Sequence, residues 1–202
     1  ARLVVDASQS LGVIPLDVTA VRPDFVVSVG YKWLLGPVGR SYLWVAEEHR
    51  QGRPLEENWI ARAGAEDFSA LVDYRDEYQP GARRFDQGQR TLLELTPMAI
   101  AALEQIHEWG VERIGAALGA TTAAIVERIG RFGLAPSAPS AERSPHILGI
   151  AVPAEARARV LPALEQEGCH AALRGSSLRV APYLHVDDAD IDRLVTALAS
   201  AI

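Results

Sequence analysis

The chain is short of most of what would mark a disulfide scaffold, a membrane span or a nucleic-acid binder. It has one cysteine, Cys169, among 202 residues. An internal disulfide framework is therefore excluded, and a reducing, cytoplasmic compartment is the expectation. No apolar run approaches the roughly 20 residues that cross a bilayer, so no membrane partner is expected. Basic residues are outnumbered, with 20 Lys plus Arg against 26 Asp plus Glu and a net charge of -6. With no basic run or aromatic-interleaved patch, nucleic acid is excluded as a main partner. The scarcest side chain is lysine: Lys32 is the only one, and every other basic residue is arginine. Arginine replaces lysine as a surface cation, but its guanidinium stays protonated and cannot act as an amine nucleophile. A desolvated lysine can lose its proton and form a Schiff base. A lone lysine can also survive in a loop by chance, so its neighbours must decide.

What is present is ordinary for a globular chain, with 49% hydrophobic and 23% charged residues, enough for one large domain or two small ones. Leu3-Val-Val-Asp6 reads as a buried parallel strand that gives way to a loop at Asp6-Ala-Ser-Gln9-Ser-Leu-Gly12. A strand so near residue 1 predicts that the natural protein extends upstream and that this chain is its C-terminal part. A brief helical turn is expected from Asp17 to Val21, stopped near Pro23. Asp24 to Ser28 reads as a second buried strand. The tight turn Gly36-Pro-Val-Gly39 leads into a third strand over 40–45, possible in antiparallel pairing. From Ala46 to Arg90 the pattern weakens into a long excursion anchored by Trp59, Phe68 and Phe85. Excursions of that length are usually functional or cover another subunit.

A helical region is predicted from Thr91, with Met98, Ala101, Ala102, Ile106 and Trp109 on its apolar stripe and a stop at Gly110. A second helix over 111–130 carries Ile114, Leu118, Ile125, Val126 and Ile129. Beyond a small-residue linker at 135–141 the pattern changes to strand (146–152), helix (154–167, closed by Gly168), hairpin (170–174 and 177–181) and a last helix capped by Asp187 or Asp188. That order describes a small α+β domain. The expected division is 1–90 for part of a large domain, 91–134 for connecting helices and 135–202 for the small domain.

Asp6 with Gln9, Lys32, and Ser28 with Tyr31 are all predicted at one sheet edge, where ligands of open α/β sheets gather. An amine and a carboxylate at adjacent strand ends suit pyridoxal 5'-phosphate (PLP). The amine bonds the aldehyde, and the carboxylate keeps the pyridine nitrogen protonated so that the ring can accept electrons. Gln9 could serve the phenolic oxygen, and the Ser28 and Tyr31 hydroxyls the phosphate. Taken singly, Asp6 could cap a turn, Gln9 could satisfy loop backbone and Tyr31 could sit at a core edge. A Schiff-base lysine without PLP would leave the Asp6 and Gln9 pair without a task.

The stretches Val-Asp6-Ala-Ser-Gln9-Ser-Leu-Gly12, Pro23-Asp-Phe, Ser28-Val-Gly-Tyr-Lys32-Trp-Leu-Leu-Gly36-Pro-Val-Gly39, Arg84-Phe-Asp-Gln-Gly88 and Ser177-Leu-Arg179-Val-Ala-Pro-Tyr resemble the class V aminotransferases. These are fold-type I PLP enzymes that include cysteine desulfurases, kynureninases and isopenicillin-N-epimerase-like proteins. The resemblance implies an α/β fold: the C-terminal part of a fold-type I large domain, with a mostly parallel sheet, followed by the small α+β domain. It implies that Asp6 pairs with the pyridinium, Gln9 contacts the phenolate oxygen, Lys32 is the Schiff-base lysine, and Ser28 and Tyr31 bind phosphate. Arg179 would grip the substrate α-carboxylate, a task that suits a planar, permanently charged fork; Arg174 competes for it. The implied function is PLP-dependent chemistry on an amino acid as small-molecule substrate, with transamination first and epimerisation or β-elimination as alternatives. A homodimer is expected, and no metal is called for.

Departures from the family pattern matter too. No cysteine lies between Arg174 and Arg179, and Cys169 reads as a small buried hydrophobe, which disfavours cysteine desulfuration. Where the family often has Gly-Thr for a phosphate contact to the neighbouring subunit, this chain has Gly88-Gln89, and Gln89 can still donate a hydrogen bond. The family's upstream phosphate loop and ring-stacking aromatic have no counterpart here, so a chain that is catalytically incomplete on its own stands as the rival reading.

Overall fold

A computed structural model describes residues 1–70, 72–89 and 92–202, so the expected helix start at Thr91 lies outside the described residues. The chain divides into two units, Ala1–Gly110 and Val111–Ile202.

In the first unit, valine-rich segments form a three-stranded sheet in the order β1 (Val4–Asp6), β2 (Phe25–Val29), β3 (Ser41–Val45). β1 runs parallel to β2 with Asp6 opposite Val27, and β3 returns antiparallel with Tyr42 opposite Ser28. The crossover carries one helical turn, α1 (Val18–Val21). The Asp17 carboxylate caps it, accepting from the Thr19 amide at 2.8 Å, and Arg22 ends it in a left-handed conformation (φ 50°). Pro23 cannot extend it.

The expectation of a buried first strand needs correction. Leu3 and Val4 are 44% and 59% exposed, because β1 is an edge strand whose outer side pairs with nothing among the described residues. The excursion after β3 is a series of short 3-10 turns. Its aromatics do not all anchor it: Trp59 and Phe68 pack edge to face at 5.7 Å and remain exposed. Buried polar groups hold it instead. The Arg84 guanidinium donates to the Gln79 carbonyl and the Gln51 side chain, both at 3.0 Å. Gln79 in turn donates through its side chain to the Ile60 carbonyl at 2.9 Å. Each such donor has an acceptor, which removes most of the penalty for burying it.

Helix α2 (Leu95–Trp109) buries Ala99, Ala102 and Ile106. Met98, read as part of that stripe, is 56% exposed; the helix turns its Ala99 side inward, so the stripe is displaced by one residue at its start. Gly110 ends the helix at φ 79°.

The second unit has a continuous apolar core. Helices α3 (Val111–Gly130), α4 (Arg157–Gln166) and α5 (Asp188–Ala201) accompany an antiparallel sheet of β4 (Leu148–Ala151), β5 (Ala172–Arg174) and β6 (Ser177–Val180), ordered β4-β6-β5. Ile125, Ile129, Leu148, Ile150, Leu164, Leu178 and Leu198 form its centre. Each such side chain contributes about 2 kcal/mol through burial. The α3 stripe is buried at Ile114, Leu118, Ile125 and Ile129 as predicted, with Thr122 completing it, whereas Val126 is only partly buried at its edge. Asp187 and Asp190 form a reciprocal capping box at the start of α5. The small-residue linker is not free: Ala135 accepts from the Ala151 amide at 2.9 Å, and the Ser137 amide donates to Gly149 at 2.8 Å, so it lies along β4.

Candidate cofactor site

Two loops leave the C-terminal ends of the parallel strands β1 and β2. The first follows Asp6 and is wound tightly, with the Ser10 and Leu11 amides donating to the Ala7 carbonyl at 3.0 and 2.9 Å. It is tied to the end of β2 by the Ala7 amide, which donates to Val27 at 2.8 Å, and by the Ser8 hydroxyl, which accepts from the Val29 amide at 3.3 Å. The second loop carries Lys32. It is closed by the Gly36 amide donating to the Gly30 carbonyl at 2.8 Å, and it turns on Leu35, whose φ of 55° is unusual for a residue with a Cβ.

Asp6 is exposed, and its carboxylate accepts from the Ser8 amide at 2.9 Å. The Ser8 hydroxyl and amide hold the Asp6 carboxyl below its usual range, and the Lys32 charge pulls in the same direction. Burial opposes these effects without overcoming them. The carboxylate therefore stays ionised at neutral pH and within electrostatic reach of the sole lysine. Lys32 is half-buried, with its Nζ 6.0 Å from the centre of the Tyr31 ring, at the outer limit of a cation–π contact. Tyr31 is exposed, while the next two residues, Trp33 and Leu34, are buried. Gln9 accepts from the Trp33 indole N–H at 3.4 Å. Ser28 is buried, and its hydroxyl donates to the neighbouring Val29 carbonyl at 3.2 Å, so contact with a phosphate would require it to rotate.

The fold thus gathers Asp6, Gln9, Ser28, Tyr31 and Lys32 at one sheet edge. A cleft of about 730 Å³ opens beside them, lined by Asp6, Ser28, Arg40, Tyr42 and Phe85 among others, though not by Lys32. Gln89 is exposed and does not line the cleft. Arg179 lies in the second unit on β6, where alternation turns Leu178 and Val180 into the core and leaves Arg179 half-buried. Its strand neighbours are Gly149 and Ala172, which crowd a guanidinium little. Cys169 is partly buried against that unit's core, and burial pushes its thiol pKa up, away from the reactive thiolate.

Sequence reading missed Ser8, Gly12 and Trp33. The Asp-x-Ser spacing was a usable signal, since an aspartate readily binds the backbone two residues on. The other two depend on a contact between distant loops.

A second cluster lies at the opposite sheet end, where Asp24, Glu48 and His49 bring potential metal-ligating atoms within 4.8 Å of one another. The Arg2 guanidinium contacts both the Asp24 carboxylate and the His49 ring, and the Leu3 amide donates to Asp24 at 2.6 Å. The Asp24 carboxylate and the His49 ring nitrogens, which a metal would need, already have partners. No helix of the described residues is long and apolar enough to cross a membrane.

The family model described as Aminotransferase class-V matches residues 1–194. The chain belongs to the class-V aminotransferases, a family of PLP-dependent enzymes. Among curated relatives, a probable cysteine desulfurase of Streptomyces coelicolor is 29% identical over 64% of this chain and 29% of its own length. An uncharacterised aminotransferase of Bacillus subtilis, YcbU, is 26% identical over 98% of this chain and 51% of its own. A 2-aminoethylphosphonate–pyruvate transaminase of Pseudomonas fluorescens is 26% identical over 77% of this chain and 40% of its own. Solved structures of the same fold include the cystine C–S lyase C-DES in complex with cysteine persulfide, with a TM-score of 0.80, 22% identity, and coverage of 98% of this chain and 52% of that one. They also include an alanine–glyoxylate aminotransferase from Nostoc sp., with a TM-score of 0.73, 18% identity, and coverage of 100% and 54%. The chain therefore spans about half the length, or less, of these relatives.

Proposed function

We propose that the protein to which this chain belongs is a PLP-dependent enzyme acting on an amino acid, and that it is an aminotransferase. The observation that carries this reading is the placement of Asp6, held ionised by Ser8, and of the only lysine, Lys32, where the chain leaves the C-terminal ends of two adjacent parallel strands. The donor set fits the cofactor: an amine for its aldehyde, a carboxylate for its pyridine nitrogen, and the Gln9 amide beside them. When bound, PLP supplies an electron sink for the bond broken at the substrate α-carbon.

The remaining work falls to this chain's side chains. Lys32 would be the Schiff-base lysine that holds the cofactor's aldehyde, and its amine would serve the substrate α-proton as base and acid. Asp6 stays charged throughout, because the Ser8 bonds favour its ionised form. Arg179 binds the substrate carboxylate through two parallel N–H donors. Tyr31 and Ser28 serve the phosphate, and Gln89 reaches the site of a neighbouring subunit. A homodimer is supported by the exposed apolar residues of the excursion, Leu55, Phe68, Val72 and Tyr74. Although relatives include cysteine desulfurases, the Cys169 thiol is poorly suited to that reaction.

Borohydride reduction of the PLP-treated protein followed by peptide mapping tests the assignment. Label is expected at Lys32, and label at any other position refutes it. A second reading is favoured by the exposed side chains of β1: this chain by itself does not hold the cofactor. A purified chain that stays colourless with PLP, beside a longer form that turns yellow, would establish that reading.

A further inference from the structure

The lysine loop is docked onto the aspartate loop at a single notch. Gly12 has φ 97°, and a Cβ built there would lie 2.5 Å from the Trp33 carbonyl oxygen and 3.2 Å from Leu34 Cδ2. No residue with a side chain allows that approach. Above the notch, the Trp33 indole N–H donates to Gln9, which sits in the same loop as Gly12. The two residues following Lys32 are thus buried against the loop that follows Asp6, whereas Tyr31 before it is exposed. Lys32 immediately precedes Trp33, so the backbone that carries its side chain is fixed where Trp33 is seated.

We propose that Trp33, seated on Gly12 and bonded to Gln9, is a positioning residue that sets where the Lys32 amine stands relative to Asp6. The inference rests on the reading of Lys32 as the cofactor-bearing amine. Reacting groups held within a fraction of an ångström lose rate steeply when displaced. A contact that fixes the lysine's backbone therefore acts on cofactor capture and orientation, and not only on stability.

The test uses the full-length protein in three forms: unsubstituted, Gly12→Ala, which pushes a methyl group into the Trp33 carbonyl, and Trp33→Phe, which keeps most of the ring but loses the N–H. All are studied at a temperature where circular dichroism shows them folded. In Gly12→Ala, PLP capture by the cofactor-free protein is expected to slow roughly tenfold, with a weakened induced circular dichroism of the bound cofactor. Trp33→Phe should show a smaller change in the same direction, and in a Gln9→Ala background, which carries its own cost at the cofactor, the further change made by Trp33→Phe should be smaller than in the unsubstituted protein, as expected for partners in one interaction. Should Gly12→Ala fail to fold, Trp33→Phe and the Gln9→Ala pair carry the test. Unchanged capture rate and dichroism in folded variants would overturn the inference, leaving a purely structural contact. The two readings fail separately: borohydride label away from Lys32 in the unsubstituted protein refutes the cofactor assignment and this inference with it. Label at Lys32 with unaffected variants refutes this inference alone.

Discussion

The two units of the chain are stabilised in different ways. The second has helices over an antiparallel sheet and a continuous cluster of buried leucine, isoleucine and valine. The first has a three-stranded sheet with an exposed edge strand, a long excursion pinned by the buried Arg84 and Gln79, and two tightly hydrogen-bonded loops. Hydrophobic burial is non-directional and tolerates repacking. Loops held by individual hydrogen bonds and a glycine notch place groups more finely but with less reserve. The titratable pair Asp6 and Lys32 sits in the second kind of setting, as expected for a site that needs placement more than bulk stability.

Several substitutions would break or sharpen that contrast. The largest effect is expected for Lys32→Arg, which keeps the charge but removes the amine: PLP attachment should vanish and turnover should fall by about 10³-fold or more, measured by borohydride trapping and steady-state kinetics. Next, Leu178→Ala in the second unit's core should cost about 2–5 kcal/mol in urea unfolding, whereas Leu55→Ala on the exposed excursion should change stability by less than about 0.5 kcal/mol. A comparable loss at both positions would remove the contrast. Arg179→Lys should raise KM for the amino acid about tenfold with a smaller change in kcat, because a compact ammonium cannot match both carboxylate oxygens.

A smaller effect is expected at the start of α5, where Asp187→Ala should lower stability by about 1 kcal/mol, read by thermal unfolding. The smallest concerns Asp6. Its carboxyl is held below the usual value of 3.8, so its stabilising contribution is present above that value and fades as pH falls through the lower folded value. In Ser8→Ala the fading should begin at higher pH, since the largest cause of the depression is gone. An NMR titration of the Asp6 carboxyl in both forms checks this, and identical midpoints would show that Ser8 does not set the charge.

Much of this was legible in the chain because it is local. Helical periodicity located α3 and α5, and the apolar positions Ile191, Leu194, Val195 and Leu198, which follow helical spacing in α5, are all buried. A third strand after the tight turn was legible, and its antiparallel pairing, open in the sequence, is decided by its register with β2. Met98 was misplaced because alanines fill the helix on both sides of the true stripe, and alanine carries little periodic signal. Arg84 as a polar pin could not be read, since its acceptors at Gln51 and Gly52 lie more than thirty residues away in sequence.

The sequence by itself determined the chemistry available: one lysine, a carboxylate at a strand end, and an arginine on a small-domain strand, because side-chain identity and short-range periodicity are properties of the chain. Tertiary structure alone decided what those groups can do together. The Ser8 hydroxyl ties the Asp6 loop to the Val29 amide at the end of β2, β1 is an exposed edge, and Gly12 admits Trp33 beside Lys32. Each of these depends on segments brought together by folding, whose contact no local pattern encodes.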